Sequence, residues 1–242
     1  MQLNADLGEG GKFDAEIIPL IDIANIACGA HAGDDESIAN SIELAVAHNC
    51  VVSAHPGYPD RENFGRQAMQ LSANELQNSL LAQLEKIAVE LGRYNRRLAW
   101  VKPHGALYNE CAIDSELADR FLNIIQTYDR KMGIIALAGS VLFKRATARG
   151  IACYAEGFAD RRYMASGMLA PRHLAGACID NVEAAVQQAQ QLAGGLPVNA
   201  LDSGHVQTAV HTICVHGDTP LSLGIAKGLY QIFKQVRPDA GT

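Results

Sequence analysis

The stretch IANIACGAHAGDDESIANSIELAVAHNCVVSAHP, residues 23–56, decides the predicted fold of this chain. Two short apolar runs, residues 23–28 and 51–54, flank a longer segment with helical spacing at residues 34–48. A strand, a helix and a second strand in this order form a βαβ unit, whose two strands lie parallel in one sheet. Each apolar run ends in a polar cluster that contains a histidine, so the unit also indicates where functional residues lie.

The same alternation continues on both sides of this unit. Further strands are predicted at residues 2–7, 99–103, 133–138, 151–156 and 212–215, with a weaker strand pattern at 197–201. Further helices are predicted at residues 72–91, 115–128, 141–148, 181–192 and 220–236, with a loose tail at 238–242. Seven or eight such repeats in 242 residues favour an α/β fold of the TIM-like (β/α) barrel type, either regular or irregular and seven-stranded. An open, doubly wound sheet is the alternative.

The composition is that of a globular protein with a mildly acidic surface. Apolar residues make up 48% of the chain, the formal net charge is −6, and no basic run is present, so we expect no nucleic acid as a partner. Residues 1–11 lack the features of a secretory signal, and no apolar run approaches the roughly 18 residues of a membrane span. We therefore expect a single domain, residues 1–242, in the cytoplasm without a membrane partner. The six cysteines include no CxxC pair and are expected to be reduced thiols.

Polar residues follow nearly every predicted strand. The carboxyl ends of parallel strands meet at one end of a barrel or one edge of an open sheet, and active sites of both folds lie there. The residues expected to converge at this end are Asn4, Asp6, Glu9, His31, His55, Lys102, His104, Glu156, Asp160, Arg161, His216 and Asp218. His205 also lies near a predicted strand end.

Several of these residues also have a purely structural interpretation. Lys102 lies in a strand with buried faces, where it either holds an anion or forms an internal ion pair. Glu156, Asp160 and Arg161 are either site residues or one salt-bridge cluster. Asp218 can cap the last helix, and Asp34, at the start of the helix after residue 33, is expected to be an N-cap.

The residue types limit the chemistry. Histidines and carboxylates suit zinc or another divalent ion, for which Asp6, His31, His55 and His104 would be the ligands. No HExxH motif is present to support a metal, however, and the GxSxG, Walker and GxGxxG motifs are absent as well. What remains is hydrolysis or group transfer by acids and bases, with a divalent metal as an open alternative.

Six motifs along the chain resemble those of the LamB/YcsF family. They are NADLGEG (residues 4–10), IACGAHAGD (26–34), SAHPGYPDRENFGR (53–66), VKPHGALYN (101–109), AEGFADRRY (155–163) and ICVHGD (213–218). The resemblance implies a fold related to the glycoside hydrolase/deacetylase barrels. It also implies one subunit of the prokaryotic 5-oxoprolinase, which opens 5-oxo-L-proline (pyroglutamate) to L-glutamate with ATP as co-substrate and with two partner subunits, B and C.

This reaction leads to a hypothesis for the roles of the candidate residues. Asp6 and one of His55 or His104 would act as general base and general acid. Lys102 and Arg161 would hold the substrate carboxylate or phosphoryl oxygens. The remaining substrate- or phosphate-binding candidates are Asn4, Glu9, His31, Glu156, Asp160, His216 and Asp218.

Two rival functions stay open. One is a metal-dependent deacetylase or carbohydrate hydrolase, which would hold a divalent metal and act without ATP. The other is a noncatalytic subunit that presents small carboxylates to a partner. Substitutions at Asp6, His55 and His104 would then weaken binding and leave the chemistry intact.

Overall fold

Seven parallel strands close into a barrel in the computed structural model of this chain, which describes residues 1–234. The barrel strands are β1 (Gln2–Leu7), β2 (Ile23–Ala27), β3 (Val51–His55), β4 (Trp100–Val101), β5 (Gly133–Leu137), β6 (Cys153–Phe158) and β9 (Thr212–His216). Two further short strands, β7 (Val198–Asn199) and β8 (His205–Val206), form a separate antiparallel pair.

The helices lie between the strands in the sequence, as the repeated βα pattern requires. They are α1 (Asp14–Ile17), α2 (Asp35–Ala47), α3 (Ala73–Gly92), α4 (Gly105–Cys111), α5 (Ser115–Tyr128), α6 (Val141–Ala148), α7 (Val182–Ala193) and α8 (Ser222–Lys234). A single 3-10 turn, Ile18–Leu20, follows α1. Within residues 1–234, no helix is long and apolar enough to cross a membrane.

The barrel prediction is confirmed in its irregular, seven-stranded form. The alternative of an open sheet is wrong, because β9 pairs with both β1 and β6 and so closes the sheet. The weak strand pattern at residues 197–201 forms β7, which pairs with β8 outside the barrel and adds no eighth strand. Helices α1 and α4 were not predicted, since each is too short to show apolar periodicity. The predicted helix end at residue 236 and the loose tail at 238–242 lie outside the described residues.

Local sequence signals explain where the longer helices start and which face they bury. Ser72 and Glu75 form the expected capping box at the start of α3, with each side chain accepting a hydrogen bond from the other residue's backbone N–H. Asp34 caps α2 in the same way with Ser37. The apolar face of α3 is buried against the barrel through Leu76, Leu80, Leu84, Ile87 and Leu91.

The strand register places the polar residues of the barrel beside one another. Asp6 of β1 lies opposite Asn25 of β2 on one side and His216 of β9 on the other. Asn4 precedes Asp6 by two residues, so its side chain leaves β1 on the same face. Both side chains lie within hydrogen-bond distance of Lys102, which follows β4 across the barrel, so this face of β1 is the barrel interior. The carboxyl end of the barrel is thus lined with polar groups from neighbouring strands.

Candidate active site

A buried ion cluster fills the barrel interior below its carboxyl end. The ammonium of Lys102 lies 2.8 Å from Asp6 Oδ1 and 2.8 Å from Glu156 Oε1, and Lys102 is only 1% exposed. Asn25 donates to Asp6 Oδ1 at 2.9 Å, and the Tyr108 hydroxyl donates to Glu156 Oε2 at 2.7 Å. The structural interpretation of Lys102 as an internal ion pair therefore holds, and Lys102 also lines the cavity described below.

The charges in this cluster stabilise one another. Burial alone would raise the pKa of Asp6, but the charges of His55 and Lys102 outweigh burial and hold the pKa well below its usual value. Burial would lower the pKa of Lys102, yet the carboxylate of Asp6 and the other acidic groups around it raise this pKa well above its usual value. Lys102 and Asp6 are consequently both charged in the neutral pH range.

Three histidines and Glu9 form a second group next to Asp6, which we call the histidine cluster (Glu9, His31, His55 and His104). Glu9 Oε1 lies 3.2 Å from His31 Nε2, 3.6 Å from His55 Nε2 and 3.1 Å from His104 Nδ1. The rings of His31 and His104 stack with their centroids 3.6 Å apart. His55 connects the two groups, because its Nε2 lies 3.5 Å from Asp6 Oδ2.

The loop after β3 packs tightly against this cluster. Phe64 has a left-handed backbone with φ 57°, and its carbonyl oxygen accepts a hydrogen bond from His104 Nε2 at 2.8 Å. Gly65 follows with φ +61°, and a Cβ at this position would lie 2.8 Å from the Cβ of His31 and 3.0 Å from His104 Cδ2. Glycine is required here by both the backbone conformation and the available space.

Burial and charge set the protonation of the cluster. Burial lowers the pKa of His31 to about 4, so this ring is neutral near pH 7. Burial would raise the pKa of Glu9, but its close contacts with His104 and His31 lower this pKa well below its usual value. For His55, burial opposes the charged form, and the neighbouring Asp6 carboxylate overcomes burial and raises the pKa.

A histidine and a carboxylate form a third group on the opposite side of Asp6. His216 Nδ1 lies 2.9 Å from both carboxylate oxygens of Asp160, and the His216 backbone N–H also donates to Asp160. Nδ1 therefore carries the proton, which leaves Nε2 as a proton acceptor. This Nε2 lies 4.0 Å from Asp6 Oδ2. A ring oriented by a buried carboxylate is an arrangement that general bases use.

Arg161 supplies a positive charge that the fold leaves uncompensated. It is 4% exposed, and its Nη2 donates to the carbonyl oxygen of Ala170 at 2.6 Å. Its Nε is buried and has no hydrogen-bond partner among residues 1–234, and no carboxylate in this range forms an ion pair with it. Burial lowers the pKa of Arg161, and the charge of Arg172 lowers it further. An anion bound here would offset both the burial of the Arg161 charge and its repulsion by Arg172.

A cavity of about 720 Å³ joins these groups at the carboxyl end of the barrel. Seven of the residues predicted from the sequence line it: Asp6, Glu9, His55, Lys102, His104, Arg161 and His216. Four others, Asn4, His31, Glu156 and Asp160, lie behind the lining and hold it in place through the hydrogen bonds and ion pairs of their side chains. The volume lies within the range of about 300–1,000 Å³ that is typical of small-molecule sites.

The structure places three groups of candidate residues differently from what the sequence suggested. Glu156, Asp160 and Arg161 do not form one salt-bridge cluster, because Glu156 pairs with Lys102 and Asp160 pairs with His216. Asp218 does not line the cavity; its partly buried side chain forms an ion pair with Arg66, which does line it. His205 lies on β8, outside the barrel, and is exposed.

The structure also adds residues that the sequence reasoning missed. Asn25 bridges Asn4 and Asp6 within the barrel, and a polar residue inside the apolar run of β2 was an available signal for it. Tyr108 fixes Glu156 and lines the cavity. Arg66 and Arg172 line the same cavity near Arg161, but no local pattern distinguishes them from ordinary surface arginines.

One group of side chains has the composition of a metal site. Ligand atoms of Glu9, His55 and His104 lie within 4.8 Å of one another. Two imidazoles and a carboxylate suit a divalent transition-metal ion better than calcium or magnesium, which prefer oxygen ligands. The set expected from the sequence shares His55 and His104 with this group, but Glu9 takes the place of Asp6 and His31.

Comparisons with known proteins all point to one family, and each match covers nearly the whole chain. The family model described as "LamB/YcsF family" matches residues 1–239. A protein of Neisseria meningitidis, named as the A subunit of 5-oxoprolinase, is 40% identical over 231 residues, which cover 96% of this chain and 94% of the relative. The crystal structure of a lactam utilization protein from Thermus thermophilus superposes with a TM-score of 0.87 at 35% identity, and the match covers 97% of this chain and 96% of that one. This chain therefore belongs to the LamB/YcsF family.

Proposed function

We propose that this chain is the substrate-binding and catalytic subunit of an ATP-dependent 5-oxoprolinase, which opens the lactam of 5-oxo-L-proline to L-glutamate. The names of its relatives, a lactam utilization protein and one chain of a 5-oxoprolinase, agree with this substrate class. One observation carries the proposal. A single cavity joins proton-transfer groups, around Asp6, to a buried guanidinium without an anionic partner among the described residues, that of Arg161.

The substrate has two parts that match these two groups. Its carboxylate is an anion that the buried Arg161 can bind with a charge-assisted hydrogen bond. Its lactam is a resonance-stabilised amide, which reacts slowly with water unless the carbonyl oxygen is activated. Transfer of a phosphoryl group from ATP to this oxygen makes the carbon electrophilic. Lys102 and the arginines of the cavity wall are the cations that would stabilise the phosphoryl charge.

Proton transfer completes the ring opening. A base on the cavity wall takes a proton from the attacking water, and an acid gives one to the ring nitrogen as the C–N bond breaks. A second water then releases phosphate. Asp6 with His55 or His104 are candidates for these steps, and the geometry adds His216, whose Nε2 faces Asp6 and whose ring Asp160 orients. Such groups typically contribute about 10²–10⁴-fold to a rate.

ATP and the partner chains enter as part of the proposal. The chain has no Walker loop, so ATP would bind in the remaining volume of the cavity or in a site completed by the partner subunits B and C. The lactam itself is much smaller than the cavity, which leaves room for a phosphoryl group beside it. The name of the Neisseria relative describes a protein that works with other chains.

The test is a glutamate-release assay on 5-oxoproline with this chain, subunits B and C, and ATP. We expect release only in the complete mixture, and we expect Asp6→Asn and His216→Ala to lower kcat by about 10²–10⁴-fold. Arg161→Gln should mainly raise KM, since it removes the proposed partner of the substrate carboxylate. His48→Ala is the control, because His48 is exposed at the end of α2 away from the strand carboxyl ends.

The outcomes separate the rivals. Glutamate release without ATP would favour the deacetylase-type hydrolase. If the complete mixture releases no glutamate, the proposed reaction is refuted. If Asp6→Asn and His216→Ala raise KM but leave kcat unchanged, the chain presents substrate and the chemistry belongs to a partner.

A further inference from the structure

Three proton-accepting atoms of the histidine cluster point at one another. The carbonyl oxygen of Lys102 lies 2.8 Å from His55 Nδ1, and the carbonyl oxygen of Phe64 lies 2.8 Å from His104 Nε2. A carbonyl oxygen only accepts hydrogen bonds, so these two nitrogens carry the ring protons. In the neutral rings, His55 Nε2 and His104 Nδ1 therefore present lone pairs. These two atoms lie 3.0 Å apart, and both face the carboxylate of Glu9.

Two lone pairs at this separation repel one another unless a proton or a metal ion lies between them. The distances among the three atoms are 3.0, 3.1 and 3.6 Å. Ligand atoms of a tetrahedral zinc ion, at 2.0–2.1 Å from the metal, are about 3.3 Å apart, so the three atoms are already spaced as the edges of a coordination shell. His55 and His104 are only 1% and 5% exposed, which limits the access of competing water to these lone pairs.

The surroundings have the form that metal sites show in their outer shell. Each of the two imidazoles donates its other N–H to a backbone carbonyl, which fixes the ring and its tautomer. His31 Nε2 lies 3.2 Å from Glu9 Oε1 and orients this carboxylate from behind. All three candidate ligands also line the cavity, so a further coordination position would face the space where a substrate binds.

We propose that Glu9, His55 and His104 bind one divalent transition-metal ion of the zinc class, with an open coordination position toward the cavity. The site uses three protein ligands, as catalytic zinc sites do. With the metal bound, His55 and His104 are ligands, and His216 is the histidine left for proton transfer. The inference does not rest on the 5-oxoprolinase proposal, because the metal can be measured on this chain without substrate or partners.

The experiment uses the full chain after treatment with EDTA and removal of the chelator. Calorimetric titration with Zn²⁺ should show one ion per chain, and titration with Co²⁺ should produce the visible absorption bands of a low-coordinate cobalt site. Loss of an outer-shell partner typically weakens metal binding about 10–100-fold, so loss of a ligand in His55→Ala or His104→Ala should weaken it at least ~100-fold.

Two further variants keep the test decisive. Glu9→Gln is nearly isosteric and keeps an oxygen toward His31, so a folded Glu9→Gln protein should still lose most of its Zn²⁺ affinity and its cobalt spectrum. His173→Ala is the matched control, because His173 lies at the exposed rim of the same cavity and should bind Zn²⁺ as the wild type does. The proposal is overturned if the wild-type chain takes up no stoichiometric Zn²⁺. It is also overturned if folded Glu9→Gln and His55→Ala proteins bind Zn²⁺ as tightly as wild type. That result would mean that a shared proton, rather than a metal ion, holds the cluster together.

Discussion

Lys102→Met tests how the barrel interior is stabilised. The ammonium of Lys102 lies 2.8 Å from Asp6 and 2.8 Å from Glu156, and all three residues are at most 5% exposed. Methionine has a similar volume and fills the space, but it leaves two buried carboxylates without their common cation. Removing one partner of a buried ion pair costs about 3–5 kcal/mol, because the other charge stays buried and uncompensated. We expect a loss of this size in the free energy of unfolding at pH 7.

The dependence on pH and on a second substitution identifies the cause. The charge of Lys102 helps to hold the pKa of Asp6 low, so without it this pKa rises and the folded state takes up a proton as the pH falls. The stability difference between wild type and Lys102→Met should therefore shrink between pH 7 and pH 5. Adding Glu156→Gln removes one of the two uncompensated charges, and the double variant should regain about 1 kcal/mol or more.

Urea denaturation followed by circular dichroism measures these free energies. Lys86→Met is the matched control, because it breaks an ion pair of 2.7 Å with Asp35 in which the two side chains are 41% and 90% exposed. An exposed pair of this kind contributes about 0–1 kcal/mol. A Lys102→Met variant that loses no more stability than Lys86→Met, or whose deficit grows toward pH 5, would refute the view that Lys102 compensates the buried carboxylates.

Two further predictions concern the loops around the site. Gly65→Ala should lower the free energy of unfolding by about 1–3 kcal/mol more than Gly195→Ala does, as measured by urea denaturation. Both glycines have a positive φ, but only a Cβ at Gly65 meets neighbouring atoms, those of His31 and His104. Equal losses in the two variants would show that the loop moves away freely. Asp14 is half-buried, and burial raises its pKa from 3.8 to about 6, so its charge destabilises the folded state as the pH rises through this range. Asp14→Asn should remove a pH dependence on the order of 1 kcal/mol between pH 4 and pH 7, and an unchanged slope in the stability profile would contradict this.

Local signals were sufficient to predict most elements of the fold. The predicted bounds of α5 and α6 agree with Ser115–Tyr128 and Val141–Ala148, because a capping residue and apolar periodicity mark both helices within their own sequence. The number of barrel strands was not predictable in this way. It depends on whether β9 pairs with β6 directly, which is a contact between residues far apart in the chain.

The candidate site shows the same division between local and long-range information. Polar residues after apolar strands indicated the carboxyl end of the barrel, and seven of the twelve predicted residues line the cavity there. Their partners could not be inferred, because the register of the strands decides them. Asp6 meets Asn25 and His216 through pairing with β2 and β9, while Arg66 reaches Asp218 across 152 positions of the sequence.

The seven-stranded closure of the barrel and the arginines that line the cavity have the same structural cause. In place of a further strand beside β6, the chain continues after Phe158 into a segment that runs over the carboxyl end of the barrel and carries Arg161 and Arg172. Tyr163 fixes this segment, because its buried hydroxyl accepts a hydrogen bond from the Phe158 backbone N–H at 2.8 Å. Since β9 then closes the barrel directly against β6, Asp160 at the start of the segment reaches His216 at the end of β9. A regular eighth strand between β6 and β9 would separate these two residues, so the seven-stranded closure is what brings the histidine, its carboxylate and the arginine to one cavity.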